Sequence, residues 1–115
     1  MPKVYISQEN SNIDYTESKR FGQITFVTNL EYSFSECSLN NKQILTAINE
    51  VVNEFKPSED FIIMTGSPIT FALLFHGLAN KCIAANEQLR LLIWDKRTYQ
   101  YKSVAIGIET LKLMI

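Results

Sequence analysis

The chain is poor in the residues that usually announce chemistry. It holds one histidine, His76, and two cysteines, Cys37 and Cys82, among 115 residues. Two isolated cysteines offer neither a zinc-ligand spacing nor a disulfide framework, so both are expected as buried, reduced thiols. A lone histidine without a matching Asp, Glu or Cys set is a poor metal or triad member, and His76 is expected in the core or at an interface. An excess of charge is also missing: 11 basic and 12 acidic side chains leave a formal net charge of −1. No bulk attraction to nucleic acid or an anionic membrane follows, although a local basic groove stays open. No apolar run approaches a membrane span, and the opening MPKVYISQEN lacks the long apolar core of a secretory signal. The expectation is a cytoplasmic protein with no membrane partner. Internal repeats, low-complexity tracts and linkers are absent, and no cofactor is implied.

What is present favours a compact globule. Hydrophobic residues make up 46% of the chain and aromatics 11%, and the length suits a single domain over residues 1–115. The organising stretch is FIIMTGSPITFALLFHGLANKC, from Phe61 to Cys82. Phe61 to Thr65 reads as a buried strand, and Gly66-Ser67-Pro68 breaks its period. Ser67 suits an N-cap and Pro68 a first helical residue, because proline has the right φ and lacks an N–H that would be unpaired there. From Pro68 to Lys81 apolar residues cover most of the helical circumference, leaving a narrow polar strip of Thr70, Gly77, Asn80 and Lys81. Such a helix is buried on more than one side. Little else in so short a chain can cover it, so a homodimer or higher oligomer is expected, associating through this helix or the apolar tail. Gly77 is expected to mark close helix packing.

Around that stretch the periods are readable. Lys3 to Ser7 alternates as a strand open to solvent on one face. Asp14 and Glu17 have the spacing of a capping box for a helical turn that stops at Gly22. Gln23 to Asn29 is rich in β-branched residues and reads as a second strand. Leu30 to Ser38 is a connector whose Tyr32 and Phe34 either tuck under the loop or stay exposed for a partner. Ile44, Leu45, Ile48, Val51, Val52 and Phe55 form the buried stripe of a surface helix, with Asn40 as N-cap and Pro57 beyond its end. Leu89 to Trp94 carries hydrophobics on both faces, the sign of an interior strand. Asp95 to Thr98 is a polar turn into a strand from Tyr99 to Ile106, with Tyr99 and Tyr101 on one face. The tail from Gly107 to Ile115 is apolar enough to dock.

The order ββαβαββ makes the chain α/β or α+β, with a mixed sheet of about five strands and two main helices. A strand-helix-strand connection is normally a right-handed crossover between parallel strands. The Phe61 and Leu89 strands should therefore end at one edge, bringing Thr65, Gly66 and Ser67 beside Trp94, Asp95, Lys96 and Arg97. Open α/β sheets usually bind ligands at such an edge. The helix N-terminus, two cations and two hydroxyls could hold a phosphate or carboxylate there. Thr-Gly-Ser-Pro is neither a phosphate loop nor a dinucleotide fingerprint, and a capped helix beside a charged turn accounts for the same residues.

TGSP after a buried strand, then LRLLIWDKR and a tyrosine-rich strand, resembles a group of small bacteriophage-encoded proteins of unknown biochemistry. A fainter likeness lies in YISQENSNIDYTESKRFGQITFV. The group tends to carry an aspartate at the place of Ser67, where it would cap the helix and repel an anion. The resemblance implies a viral origin and a site of action inside a bacterial host.

Three functions are weighed on these grounds. The first is an accessory protein that binds a host or viral macromolecule, in line with the missing catalytic signatures and the excess of apolar helix surface. The second is a nucleotide- or anion-binding domain, with possible phosphoester processing, at the edge formed by Thr65, Gly66, Ser67, Asp95, Lys96 and Arg97. An enzyme there would have only Asp95 and Glu31 as acids or bases. The third, less favoured, is single-stranded nucleic-acid binding through Lys96, Arg97, Lys102, Tyr99 and Tyr101.

Overall fold

The computed structural model describes residues 1–35 and 38–114, so the expectation for Cys37 lies outside the described residues. Five strands, β1 (Lys3–Ile6), β2 (Gln23–Phe26), β3 (Phe61–Ile63), β4 (Leu89–Asp95) and β5 (Gln100–Ile106), form one sheet in the order β2-β1-β3-β4-β5. Strands β1 to β4 are parallel, and β5 returns antiparallel to β4. This is the mixed α/β sheet that the apolar periods require. Its helices are α1 (Leu39–Glu54), α2 (Pro68–Ala85) and α3 (Ile108–Met114), with a 3-10 turn at Thr16–Arg20. The apolar tail thus docks as a short third helix, held by the buried Leu111.

β1 corrects the sequence reading. It lies between β2 and β3, and Val4, Tyr5 and Ile6 are all fully buried, so neither of its faces meets solvent. Tyr5 points into the core beneath the helices, with Ile62, Leu89, Ile44, Phe55, Leu74 and Leu78. Val4 and Ile6 point the other way, into a smaller core with Ile63, Leu92, Tyr101 and Tyr15. Helices cover the first face, whereas the second is covered by the segment between β1 and β2. Tyr15 packs there from above, and Phe21 meets Phe61 edge-on at 5.2 Å.

Helix α1 buries Ile44, Ile48 and Val51, with Phe55 just beyond its end, while Leu45 stays exposed. The helix begins after Ser38, without a side-chain cap, so Asn40 is not its N-cap. The neighbouring Asn41 is buried and ties down the connector: it accepts from the Ser33 N–H at 2.7 Å and donates to the Ser33 and Ser35 carbonyls at 3.0 Å. Tyr32 tucks against the core and Phe34 stands fully exposed, so the two connector aromatics take opposite fates.

Helix α2 runs past Lys81 and ends on Asn86, whose φ of 57° lies in the left-handed region that closes helices. Contrary to the sequence reading, it is long and apolar enough to cross a membrane, with 18 residues of mean hydropathy 1.2. Its buried residues Thr70, Leu74, Leu78, Ala79 and Cys82 make one face against the helix-side core, while Ile69 and Leu73 stay exposed, so only 28% of the stretch is buried and the helix is not covered on more than one side. The anticipated polar strip is divided among different tasks. Thr70 is buried; a Cβ on Gly77 would lie 2.7 Å from Val52, so the glycine permits close α1–α2 packing. Lys81 donates to the Val52 and Asn53 carbonyls at 2.5 and 2.7 Å, a cation satisfying the last turn of α1. His76 is exposed, 3.2 Å from Asn80, so of the two places expected for it, core or interface, the core is ruled out.

Two buried groups give testable outcomes. Burial pushes the Cys82 thiol up to about 11, so it is protonated and unreactive at neutral pH. In a Cys37→Ser background, a thiol reagent at pH 7.5 should label Cys82 only after denaturant unfolds the chain. Burial, then the charges of Asp60 and Glu54, raise Tyr5 to about 12, and its hydroxyl has no partner among the described residues. The folded chain therefore keeps this proton to higher pH than the unfolded chain. The stability tied to neutral Tyr5 is complete below about pH 10 and is lost as pH rises through about 12. Tyr5→Phe should equal or exceed the wild type at pH 7, by up to about 1 kcal/mol, and fall less steeply in urea unfolding at alkaline pH.

Candidate functional site

Strands β3 and β4 share one register pair, Ile62 with Leu91. Beyond it β3 ends at Ile63, while β4 runs on to Asp95 with β5 alone for company. The strands part, and a cleft of about 790 Å3 opens between them at the carboxyl edge. One wall is Ile63, Met64 and Thr65, and the other is Leu91, Leu92, Ile93 and Trp94. Phe71 of α2 closes it on the helix side; Ile13, Asp14, Glu17 and Tyr101 line the opposite side. Met64 is 59% exposed, Ile93 51%, Trp94 41% and Ile13 37%, so the mouth is an apolar patch open to solvent.

The walls also carry polar backbone. Glu17 accepts from the Tyr101 N–H, and Arg20 donates to the Tyr101 carbonyl as well as to Glu17. Both backbone groups of Tyr101 therefore point away from β4. Antiparallel ladders alternate, so Trp94 opposite Tyr101, and Leu92 opposite Ser103, turn their own backbone groups away from β5 and towards β3; the Ile62–Leu91 register takes the Leu92 N–H, which leaves the Leu92 carbonyl and both groups of Trp94 at the gap. The cleft combines apolar side chains on both faces of the sheet with a strip of β4 backbone.

Its rim is acidic. The Arg20 hydrogen bond holds Glu17 below its ordinary value, and hydrogen bonds from Thr16 do the same for the exposed Asp14. The expected capping box does not form, because Asp14 accepts from the Thr16 N–H at 2.9 Å and Glu17 is engaged with β5.

Thr65, Gly66 and Ser67 do end β3 at the same sheet edge where Asp95, Lys96 and Arg97 end β4, as parallel strands require. Thr65 alone of these six lines the cleft. The Ser7 hydroxyl donates to the Thr65 carbonyl at 2.8 Å and accepts from the Thr65 N–H at 3.0 Å. The Thr65 hydroxyl donates to the Gln8 carbonyl at 2.6 Å and lies 3.0 Å from the Tyr15 hydroxyl. Gln8 Oε1 then accepts from the Ser67 N–H at 2.7 Å, so α2 is capped by a residue from the end of β1 and Ser67 makes no side-chain cap. Gly66 sits at φ 81°, where a Cβ would lie 2.6 Å from the Gln8 side chain. Asp95 pairs with Lys102 at 2.8 Å and accepts from the Arg97 N–H at 2.9 Å; the lysine is the larger cause of its lowered pKa. Lys96 and Arg97 are exposed.

Sequence reasoning placed Trp94 at this edge but missed Gln8, Met64 and the Glu17–Arg20 clasp as parts of it. Gln8 was findable only as a polar residue directly after an apolar strand, since its partner is 59 positions away. Tyr99 and Tyr101 do not share a face. Tyr99 lies in the turn at φ 55° and is 74% exposed, whereas Tyr101 is buried edge-on against Trp94 at 5.0 Å. Among the described residues no group of three or more His, Cys, Asp or Glu side chains could hold a metal ion.

The profile of the family described as Phage Pam3 gp32-like protein matches residues 2–108. The chain belongs to this family. The match takes in all five strands and every residue of the cleft, and it agrees with the phage likeness of TGSP and LRLLIWDKR. No curated protein and no solved structure matched the chain.

Within this phage family fold, closing the β1–β3 edge depends on Gly66 and Gln8. Gly66→Ala should cost roughly 1–3 kcal/mol, from the positive φ together with the displaced glutamine. Gln8→Ala should cost about 1 kcal/mol by uncapping α2. Urea midpoints against the wild type check both.

Proposed function

We propose that this phage-family protein acts by binding, and that the cleft between β3 and β4 takes an extended apolar segment of a host or viral protein. The observation that carries the reading is the parting of the two strands after Ile62 and Leu91. A segment laid along β4 there would find backbone partners at the Leu92 carbonyl and at Trp94. Its side chains, alternating from face to face, would meet Phe71, Leu91 and Ile93 on one side and Ile13, Leu92 and Trp94 on the other. Asp14 at the rim favours a lysine or arginine in that segment and disfavours an anionic ligand in the cleft, while Glu17 is already paired with Arg20. The exposed Lys96 and Arg97 lie outside it, which leaves a nucleotide without a cation inside. The place of action in this reading is the cytoplasm of the infected bacterium, and no reaction is involved.

Trp94 is the single tryptophan, so its emission reports on the mouth of the cleft. The probe is a set of blocked peptides with a Val/Leu core and one arginine, against the same set with glutamate in its place. Arginine peptides should shift Trp94 emission saturably, glutamate peptides should bind about tenfold or more weakly, and Met64→Asp should abolish the response. An unchanged emission with every peptide, or an equal response from Met64→Asp and the wild type, would overturn the reading. A thermal shift with nucleotides and none with peptides would do so as well.

A further inference from the structure

The outer edge of β5 is half closed. The Glu17–Arg20 pair occupies both backbone groups of Tyr101 in the way a neighbouring strand would. By the alternation of the β4–β5 ladder, the next residues facing outward are Ser103 and Ala105, both exposed. At the far end the chain leaves the sheet through Gly107 into α3, and a Cβ built on Gly107 meets nothing within 4 Å. β5 therefore presents a short open ladder centred on Val104, bounded by the clasp on one side and open space on the other.

We propose that this edge pairs antiparallel with β5 of a second copy, about a two-fold axis through Val104, joining two five-stranded sheets into one. The open residues are self-complementary. With Val104 on the axis, Ser103 faces Ala105 of the partner subunit and Ala105 faces Ser103 of the partner subunit. Each pair exchanges both of its N–H···O bonds, and each clasp stays outside the paired region. Val104, 44% exposed on the helix side of the sheet, meets its own copy in a close, non-hydrogen-bonded pair. Charge agrees with this register. The β4–β5 turn, which carries exposed Lys96 and Arg97, comes level with the first turn of the partner's helix, where Glu109 of the partner subunit is exposed.

A second copy fits β5 better than it fits β2, the other edge. β2 is four residues long, and shortness is one of the ways an edge is kept from pairing; β5 has seven. The exposed Ile69 and Leu73 of α2 lie on a helix and offer no ladder.

The test uses the full chain in a Cys37→Ser background, which leaves the buried Cys82 as the remaining thiol. Light scattering after gel filtration at tens of micromolar should give a dimer mass. The Ser103 N–H points outward, so Ser103→Pro spares the β4 ladder; it should raise the dissociation constant roughly tenfold or more with circular dichroism unchanged. Val104→Cys should oxidise rapidly to a covalent dimer, since facing Cα atoms in such a pair lie within disulfide reach. Leu73→Lys should leave the dimer intact. Where Ser103→Pro unfolds the chain, Val104→Lys, which sets two ammonium groups against each other at an exposed position, takes its place and should give a folded monomer. A monomeric parent chain, a dimer that survives in folded Ser103→Pro or Val104→Lys, or a dimer lost through Leu73→Lys alone would each overturn the proposal.

Discussion

One register pair, Ile62 with Leu91, joins β2-β1-β3 to β4-β5. The parallel ladder of β3 with β1 runs through three pairs and the antiparallel ladder of β4 with β5 through seven, so the seam between the two parts is the weakest line in the sheet. Side chains and α2 hold the seam together more than its ladder does. Leu74, Leu78 and Cys82 bridge Ile62 and Leu89 from the helix side, and Ile63, Leu92 and Tyr101 meet Tyr15 on the other. Because the strands share a direction and a point of contact but diverge after it, the same seam both closes the core and opens the cleft.

Polar groups inside the molecule do the fastening that so short a ladder cannot. Buried Asp60 accepts from the Lys3 N–H at 2.9 Å and from the Lys56 N–H at 2.8 Å, fixing the start of β1 against the turn that leads from α1 into β3. At the opposite end of β1, Ser7 and Gln8 fix Thr65 and Ser67. β1 is thus pinned at both ends to the strand beside it by side chains rather than by additional ladder. Hydrogen bonds of this kind contribute about 0.5–1.5 kcal/mol each and more to a charged partner, while leaving the same groups buried and unpaired costs more than that. The change of chain direction between β1 and β3, where open sheets commonly bind ligands, is filled by these contacts. The usable opening is displaced by one strand, to β3 and β4.

Much of this was legible in the residues because local period and tertiary burial agree. The Phe61 strand, the Gly66-Ser67-Pro68 exit, the parallel relation of β3 to β4, the interior character of β4 and the packing glycine at 77 all follow from spacing alone. β1 was misread as half-open because Tyr5 and Lys3 alternate with Val4 and Ile6. Tyrosine's apolar ring buries readily when the hydroxyl is sacrificed, as it is here. His76 and Thr70 exchange their expected places for a related reason: a helix apolar nearly all round has no strong moment to say which side faces in. The shared edge was anticipated, but the side chains that occupy it were not. Gln8 and Thr65, or Glu17 and Tyr101, meet across 57 and 84 positions, and nothing in either local pattern names the other.

The clasp of Glu17 and Arg20 on Tyr101 bears on what the border of the sheet can add. An unguarded border of seven residues is a template onto which further chains can add. Fastening Tyr101 with an ion pair leaves Ser103 and Ala105 as the outward-facing residues that remain on that border, while the other border, β2, has four residues. Both borders are thereby shortened as templates for open-ended strand addition, one by side chains and the other by length.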